Sequence, residues 1–286
     1  MPKVSIVVPC FNQAQYLPEA LDSVLLQTYP EWECIIVNDG SPDNTEEVAS
    51  EWCKKDSRIK YLKKGNGGLS SARNRGIRES SGELILPLDA DDLIAEIYLE
   101  KAVKHFMEFP DTKVVYCKAE LFGDWNGEWD LGDYQYEKLL FDNIIFCSSI
   151  YKKKDYDKTH GYNETLNHGL EDWDFWLSLL NESDLVYKIP LTCFFYRIRQ
   201  DSMIRSMSDQ SISDAKRNIY NAHKEKFNKY IPELIWENRQ IKEQQLTITA
   251  LNNEIQRIQA SKAYRLGKFI IKPLSALRYK FRLRKY

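Results

Sequence analysis

Short apolar runs alternate with amphipathic segments over the first 122 residues, and this order constrains the fold more than any other feature of the chain. Val4–Pro9 is almost wholly apolar, as expected of a parallel strand that is covered on both faces. Tyr16–Gln27 instead repeats its apolar residues at helical spacing. A repeated strand–helix order predicts an α/β domain with a mostly parallel, Rossmann-like sheet flanked by helices.

The same reasoning assigns the individual elements. The predicted strands are Val4–Pro9, Trp32–Asp39, Ile59–Lys63, Glu83–Leu88, Lys113–Phe122, Leu185–Ile189 and Cys193–Ile198. The predicted helices are Tyr16–Gln27, one starting at Ser41-Pro42, Ser70–Ser80, Glu96–Glu108, Glu171–Asn181 and Asp209–Lys229. The Trp- and Tyr-rich stretch between them, residues 123–169, gives no regular pattern and is predicted to be irregular.

Charge is divided unevenly along the chain. Ile255–Tyr286 contains ten Lys and Arg and no acid, so the overall charge of −2 leaves −12 on residues 1–254. The six cysteines are scattered without a CxxC pair, which indicates a reducing cytoplasm rather than a disulfide or zinc framework. No stretch approaches the ~18 apolar residues of a membrane span. We therefore expect a cytoplasmic protein that lies peripherally at the inner face of the membrane.

The C-terminal part follows different patterns. Leu234, Ile241, Ile248 and Ile255 recur every seven residues, which fits either self-association through 234–258 or a helix packed on its own domain. The basic amphipathic tail, residues 262–286, is typical of segments that bind anionic membrane surfaces. A nucleic-acid arm is the competing interpretation, but the acidic body does not suit nucleic acid, and no such partner is expected.

Polar residues follow four consecutive strands of the predicted sheet. In open α/β sheets, ligands bind beyond the carboxyl ends of the strands. Asp39 follows the second strand and fits either a nucleoside contact or an Asx turn before Gly40. The glycine-rich loop Gly65–Gly68 opens a helix, where free backbone N–H groups suit an anion. These strand ends predict a ligand site along one edge of the sheet.

Two acidic motifs stand out. Asp89 and Asp91 are two residues apart in an extended segment, so they point the same way and suit Mg²⁺ or Mn²⁺ together with phosphate oxygens. A solvated acidic turn is the alternative. Glu171–Trp176 places three acids at a helix start, more than the helix dipole requires, with tryptophans on which a sugar face could pack.

Six segments together resemble the family 2 glycosyltransferases of GT-A fold, across about residues 3–205. They are Val4–Asn12, Val37–Ser41, Gly68–Asn74, Leu88–Asp92, Glu171–Asp174 and Tyr196-Arg197. The resemblance implies that Pro9 and Asp39 line the nucleoside pocket, with Asp39 reading the base or ribose. It also implies that Asn66 and Arg73 lie against the nucleotide.

The resemblance implies the chemistry as well. Asp91 would hold the Mn²⁺ or Mg²⁺, and Asp89 would reach the ribose or the metal shell. Asp172 would be the general base, and Arg197 and Ser202 match a loop that closes on the diphosphate. Many relatives place a His where this chain has Arg199, so a third metal ligand there is not expected.

The implied activity is an inverting transfer of a sugar from a nucleotide diphosphate sugar, a UDP-sugar being favoured. The acceptor would be a glycan or a lipid-linked molecule in bacterial surface polysaccharide biosynthesis. The alternatives are a sugar-nucleotide nucleotidyltransferase and an inactive sugar-binding scaffold. The domain expected over residues 1–205 divides into a nucleotide half (1–122) and an acceptor half (123–205). A helical continuation (206–232) and the heptad helix with its tail (233–286) follow.

Overall fold

The computed structural model describes residues 1–166, 169–199 and 208–260, and the side chains in these ranges other than those of 231–243. The strands are β1 (Val4–Cys10), β2 (Trp32–Asn38), β3 (Ile59–Lys63), β4 (Leu84–Pro87), β5 (Leu93–Ile94), β6 (Thr112–Gly123), β7 (Gly127–Trp129), β8 (Ile150–Lys152) and β9 (Leu185–Ile198). The helices are α1 (Leu17–Leu25), α2 (Thr45–Lys55), α3 (Leu69–Glu79), α4 (Tyr98–Glu108), α5 (Tyr136–Phe141), α6 (Lys153–Tyr156), α7 (Glu171–Leu179), α8 (Asp209–Ala222) and α9 (Lys224–Ala260).

The strands form one sheet in the order β3-β2-β1-β4-β8-β6-β9-β5, with β7 beside β6. The first four strands are parallel, whereas β8 is antiparallel to both of its neighbours and β6 pairs with β9 in parallel. Because β1, β2 and β4 run the same way, the segments that follow them leave the sheet at one edge. This is the edge at which the sequence placed the ligand site.

Every residue of β1 and β2 is buried, which explains their apolar runs. Helix α3 lies unusually close to this part of the sheet. A Cβ atom on Gly76 would lie 2.4 Å from a methyl carbon of Val7 and 2.9 Å from one of Val37. The glycine therefore permits the close packing that fixes the start of α3, and Arg73 with it, against the strand ends.

The middle of the chain is more regular than predicted. Residues 123–169 were expected to be irregular, yet they contain β7, α5, β8 and α6. Strand β8 joins the two halves of the sheet, between β4 and β6. Its three residues are too few to reveal a period of two, so its place depends on contacts with distant strands rather than on a local pattern.

Further element boundaries were wrong as well. The helix predicted over Asp209–Lys229 is divided at His223 into α8 and the start of α9. The separate strands Leu185–Ile189 and Cys193–Ile198 are one strand, β9, whose register against β6 shifts beyond Ile189. Pro190 lies at that shift and has no N–H to donate to a ladder. The helix expected from Ser41-Pro42 begins at Thr45, since the carboxylate of Asp43 accepts hydrogen bonds from the backbone and side chain of Thr45 and forms a turn.

The chain divides into a compact unit, Met1–Phe227, and a second unit that starts at Asn228. Helix α9 has 37 residues, a length of ~55 Å. Its residues 244–260 are all exposed, including Ile248, Leu251 and Ile255. Self-association through 234–258 stays a prediction. Ser202 and the tail 262–286 lie outside the described residues. Among the helices of the described residues, none has the length and hydropathy needed to cross a membrane.

Candidate active site

The loops that leave β1 and β2 are tied to each other. The Ser41 hydroxyl donates to the carbonyl of Cys10 (3.1 Å) and accepts from the backbone N–H of Asn12 (3.2 Å). The Asp43 carboxylate accepts from the N–H of Ala14 at 2.9 Å. Pro9 is buried in β1 beside Val37. These contacts, of which the one made by Asp43 was not foreseen from the sequence, hold the two loops together at the ends of β1 and β2.

Asp39 organises the glycine-rich loop. Its buried carboxylate accepts hydrogen bonds from the N–H groups of Gly67 (3.0 Å) and Gly68 (2.8 Å), and it is paired with the Lys64 ammonium. The expectation that these N–H groups are free for an external anion is therefore wrong, because Asp39 is the anion that they bind. Asn66 is exposed at the tip of this loop.

Gly40 lets the two loops approach each other. It has φ of +72°, and a Cβ there would lie 2.8 Å from the backbone nitrogen of Asn66. A side chain at this position would meet both backbone strain and a backbone contact. The Asn38-Asp39-Gly40 segment thus sets the position of Asn66 beside the strand end.

Arg73 joins the two acidic motifs. Its side chain is 1% exposed, and its guanidinium donates to Asp89 Oδ1 at 2.7 Å and to Glu171 Oε1 at 2.6 Å. Two carboxylates 82 positions apart in the chain are thereby held on one buried cation. In this structure Arg73 acts as an internal link, and its expected contact with the nucleotide stays a prediction.

The carboxylates after β4 are crowded. Burial and the neighbouring Asp89 raise the pKa of Asp91 to about 6, while the Arg199 guanidinium, 3.1 Å from Asp91 Oδ2, opposes the rise. Asp92 is buried, accepts the backbone N–H of Arg197 at 2.8 Å, and has its other oxygen buried without a hydrogen-bond partner. Burial is the largest cause that raises the pKa of Asp92, and the charges of Asp91 and Asp89 raise it further.

Arg197, expected at the diphosphate, is held by the protein. Its Nε donates to the backbone carbonyl of Asp91 and its terminal nitrogen to Glu19, both at 2.8 Å. The guanidinium also lies over the rings of Tyr16 and Phe122, 4.9 Å and 4.3 Å from their centroids. These contacts fasten the end of β9 to the loop after β4.

Asp172 lies in the first turn of α7 and is half-buried. Its oxygens accept from the amide of Asn143 (3.0 Å) and from the backbone N–H of Trp173 (2.8 Å). Burial and the adjacent Glu171 carboxylate raise the pKa of Asp172 to about 7, although the Arg73 cation and both hydrogen bonds oppose the rise. A carboxyl group that titrates near neutral pH can accept a proton under ordinary conditions. Asn143 carried no sequence signal.

The tryptophans of α7 do not expose their rings for a sugar to pack on. Trp173 and Trp176 are buried, and their indole N–H groups donate to the carbonyls of Leu139 and Ile145. That expectation is therefore wrong, because both rings pack the core. Two other aromatic rings are half-buried and 4.8 Å apart, those of Trp129 and Tyr196.

Tyr196 connects this aromatic pair to the acids. Burial and the nearby Asp92, Cys147 and Asp89 raise the pKa of its phenol. The thiol of Cys147 is itself 3.7 Å from Asp89 Oδ2. Aromatic surface and strand-end carboxylates thus lie in one neighbourhood, and apolar surface with a few polar groups is typical of small-molecule sites.

The donor set fits a divalent cation only in part. Among the described residues no group of three His, Cys, Asp or Glu side chains is arranged to hold a metal. Asp91 is one carboxylate in a crowded acidic segment, and the buried oxygen of Asp92 beside it lacks a partner. One or two carboxylates completed by substrate phosphates are a normal set for Mg²⁺ or Mn²⁺. The site therefore fits such an ion with oxygens supplied by a diphosphate.

Comparison with known proteins assigns the family. Residues 5–170 match the sequence profile described as "Glycosyl transferase family 2". The chain belongs to this family. The resemblance to this family is thereby confirmed, although Glu171–Asp174 and Tyr196-Arg197 lie beyond the matched residues.

Two relatives of this chain are longer proteins. Glycosyltransferase GlyA of Streptococcus pneumoniae is 35% identical over 156 residues, 54% of this chain and 22% of that protein. The minor teichoic acid biosynthesis protein GgaB of Bacillus subtilis is 29% identical over 242 residues, 81% of this chain and 26% of that protein. The chain thus spans about a quarter of the length of these relatives.

Solved structures support the fold. Residues 1–349 of S. aureus TarS, in complex with UDP-GlcNAc, superpose with a TM-score of 0.66 at 21% identity, covering 76% of this chain and 65% of that one. The mannosyltransferase PcManGT of Pyrobaculum calidifontis, with GDP-Man and Mn²⁺, gives 0.56 at 18% identity, covering 100% and 88%. The expected GT-A fold, a mixed sheet with flanking helices, is confirmed.

Proposed function

We propose that this protein transfers a sugar from a nucleotide diphosphate sugar to an acceptor hydroxyl, with inversion at the anomeric carbon. The observation that carries the proposal is the Arg73 link, which brings the strand-end Asp89 against Glu171, the neighbour of Asp172. In this proposal the strand-end acids bind the diphosphate through a metal ion, and Asp172 accepts the proton of the acceptor hydroxyl. Family membership supports the same activity.

Asp172 is the proposed general base. A hydroxyl becomes a competent nucleophile when its proton is taken as the new bond forms, and a base titrating near the working pH does this best. A pKa of about 7, with two hydrogen bonds fixing the orientation of the carboxylate, meets that requirement. With one base and no covalent intermediate, a single displacement inverts the anomeric centre.

Asp91 is the proposed ligand of Mn²⁺ or Mg²⁺, and Asp89 is proposed to reach the ribose or the metal shell. The bound ion would supply Lewis-acid stabilisation to the departing diphosphate. The chain's own residues orient this region, since Arg73 fixes Asp89 and Arg197 fixes the backbone at Asp91. The Asp89 side chain and the backbone at Asp91 are therefore held in position by the protein itself, and the bound ion would meet the charge that develops on the diphosphate.

The nucleotide would lie along the ends of β1 and β2, against Pro9, Asp39 and Asn66. A UDP-sugar is the proposed donor, a choice supported by the TarS complex with UDP-GlcNAc, although the PcManGT complex holds GDP-Man. The proposed acceptor is a glycan or a lipid-linked molecule of a surface polysaccharide. The description of GgaB as a teichoic acid biosynthesis protein supports that class.

The experiment is a screen of UDP- and GDP-sugars with Mn²⁺, in which nucleoside diphosphate release is measured and the anomeric configuration of any product is determined by NMR. Release that EDTA abolishes, with an inverted product, is the expected result. A nucleotidyltransferase would instead release pyrophosphate from a nucleoside triphosphate. Binding of a donor without any release would identify a sugar-binding scaffold.

A further inference from the structure

The metal-ligand carboxylate of the proposed site is already occupied by a cation of the protein. Arg199 Nε lies 3.1 Å from Asp91 Oδ2, with 16% and 13% of the two side chains exposed. Partly buried ion pairs of this kind are little screened by salt. A divalent cation at Asp91 would meet this guanidinium at close range.

Arg197 and Arg199 differ in how they are placed. Being two residues apart at the end of an extended strand, they point to the same side, and their guanidinium groups lie 4.9 Å and 5.1 Å from the centroid of the Tyr16 ring. Arg197 donates to a backbone carbonyl and to Glu19, so it is bound to the scaffold. Arg199 lies against the Asp91 side chain itself.

The charge balance at the strand end explains why a cation is needed there. Asp89 has Arg73, Asp91 has Arg199, and Asp92 has one oxygen bound by a backbone N–H and one buried without a partner. Removing Arg199 without replacement would leave adjacent carboxylates under mutual repulsion. The protein therefore supplies a positive charge at the place where the reaction would use a metal ion.

We propose that Arg199 is an internal counter-ion that competes with the divalent cation for Asp91, so that metal binding depends on the donor diphosphate. The diphosphate offers the guanidinium another anion, Arg199 leaves Asp91, and the carboxylate becomes available to the metal. Metal and nucleotide then raise each other's affinity by the same factor, because coupling between two binding sites is reciprocal. The inference rests on the proposed function, which supplies the nucleotide.

The test is a calorimetric titration of the full chain with Mn²⁺, with and without saturating UDP, and then with GDP. Wild-type protein is expected to bind Mn²⁺ weakly alone and about 5- to 150-fold more tightly with the nucleotide, the usual range of such coupling. Arg199→Gln is expected to raise the affinity for Mn²⁺ alone and to reduce the enhancement by the nucleotide. Arg199→Met, which keeps an apolar stem beside Tyr16, is expected to do the same.

Arg217→Gln is the matched control, because Arg217 is an exposed arginine on α8 that forms an ion pair with Asp214. It should leave both affinities unchanged, and thermal unfolding should verify that all variants fold. Equal Mn²⁺ affinities in wild type and both Arg199 variants, with UDP or GDP still bound, would overturn the role of Arg199 alone. Failure of wild-type protein to bind either nucleotide under any metal condition would instead overturn the proposed function.

Discussion

The acids after β4 and the acids at the start of α7 are both crowded and partly buried, yet their partners differ. Asp91 faces a guanidinium, whereas Asp172 is held by an amide and a backbone N–H. The pKa values are raised to about 6 and about 7, respectively. A carboxylate beside a cation is suited to remain charged, and one held by neutral donors is suited to exchange a proton. The groups that hold the two carboxylates, rather than their burial, thus distinguish the two proposed roles.

The largest expected effect separates these roles at Asp172. Asp172→Asn keeps the shape of the side chain but cannot accept a proton, so kcat should fall by ~10²–10⁴-fold. Donor affinity should change little, because the strand-end acids are intact. Steady-state kinetics with the donor found by the screen provides the measurement. Asp111→Asn, an exposed aspartate before β6, is the control. Unchanged turnover in Asp172→Asn would remove this residue from the mechanism.

Arg73→Met should affect both regions, because Asp89 and Glu171 share this cation. Breaking a buried ion pair leaves uncompensated charge and costs about 3–5 kcal/mol in the free energy of unfolding. Urea unfolding followed by circular dichroism measures this loss. Arg75→Met removes an exposed arginine two residues away and should change stability by about 0.5 kcal/mol or less. If the two variants were equally stable, the contacts of Arg73 with Asp89 and Glu171 would not contribute to the free energy of unfolding.

The pH dependence of kcat should locate the proton acceptor. Asp172 must be ionised to act, so the rate should rise with pH through an apparent pKa near 7. The groups facing Asp172 include Glu171, Arg73, Asn143, the N–H of Trp173 and the thiol of Cys147. Asn143→Ala removes a donor that stabilises the ionised form, so the rise should move upward by about one pH unit.

The control for this profile is Asn181→Ala, whose side chain lies in an exposed turn with Asp184. It should leave the profile in place. If Asn143→Ala did not shift the pH at which kcat rises, a group other than Asp172 would control that rise. Loss of rate without a shift would give Asn143 a structural role only.

The smallest effect on either acidic site is expected from α9. Ile248→Ser combined with Ile255→Ser removes two exposed apolar residues from the heptad seam. Sedimentation velocity should show loss of self-association, while kcat and the pH profile stay as they were. Exchange of Leu246, an exposed leucine outside the seam, is the matched control. A change in kcat would mean that the sites depend on a second chain.

Local pattern predicted much of the fold. Strands β1, β2 and β4 are buried on both faces, so their apolar runs revealed them. Their shared direction predicted that Asp39 and Asp89–Asp92 leave one edge of the sheet. Strand β8 and the continuity of β9 were missed. Both depend on pairing with strands far along the chain, and Pro190 interrupts the local pattern of β9.

The partners inside the site were harder to foresee. Glu171 is 98 residues from Arg73, and Asn143 is 29 residues from Asp172. No spacing rule connects such pairs, because tertiary packing alone brings them into contact. The sequence predicted which regions of the sheet edge would be rich in charged residues. The structure shows which groups pair with each other; for example, Lys64 and the N–H of Gly67 bind the Asp39 carboxylate.

The division of labour between the two acidic regions is tested most directly by calorimetric titration of UDP in the presence of Mn²⁺, with Asp91→Asn and Asp172→Asn compared side by side. Asp91→Asn should lose about tenfold or more of the metal-dependent gain in nucleotide affinity, a change of about 1.4 kcal/mol. Asp172→Asn should bind UDP as wild-type protein does. Equal losses in both variants, or a loss confined to Asp172→Asn, would contradict the account.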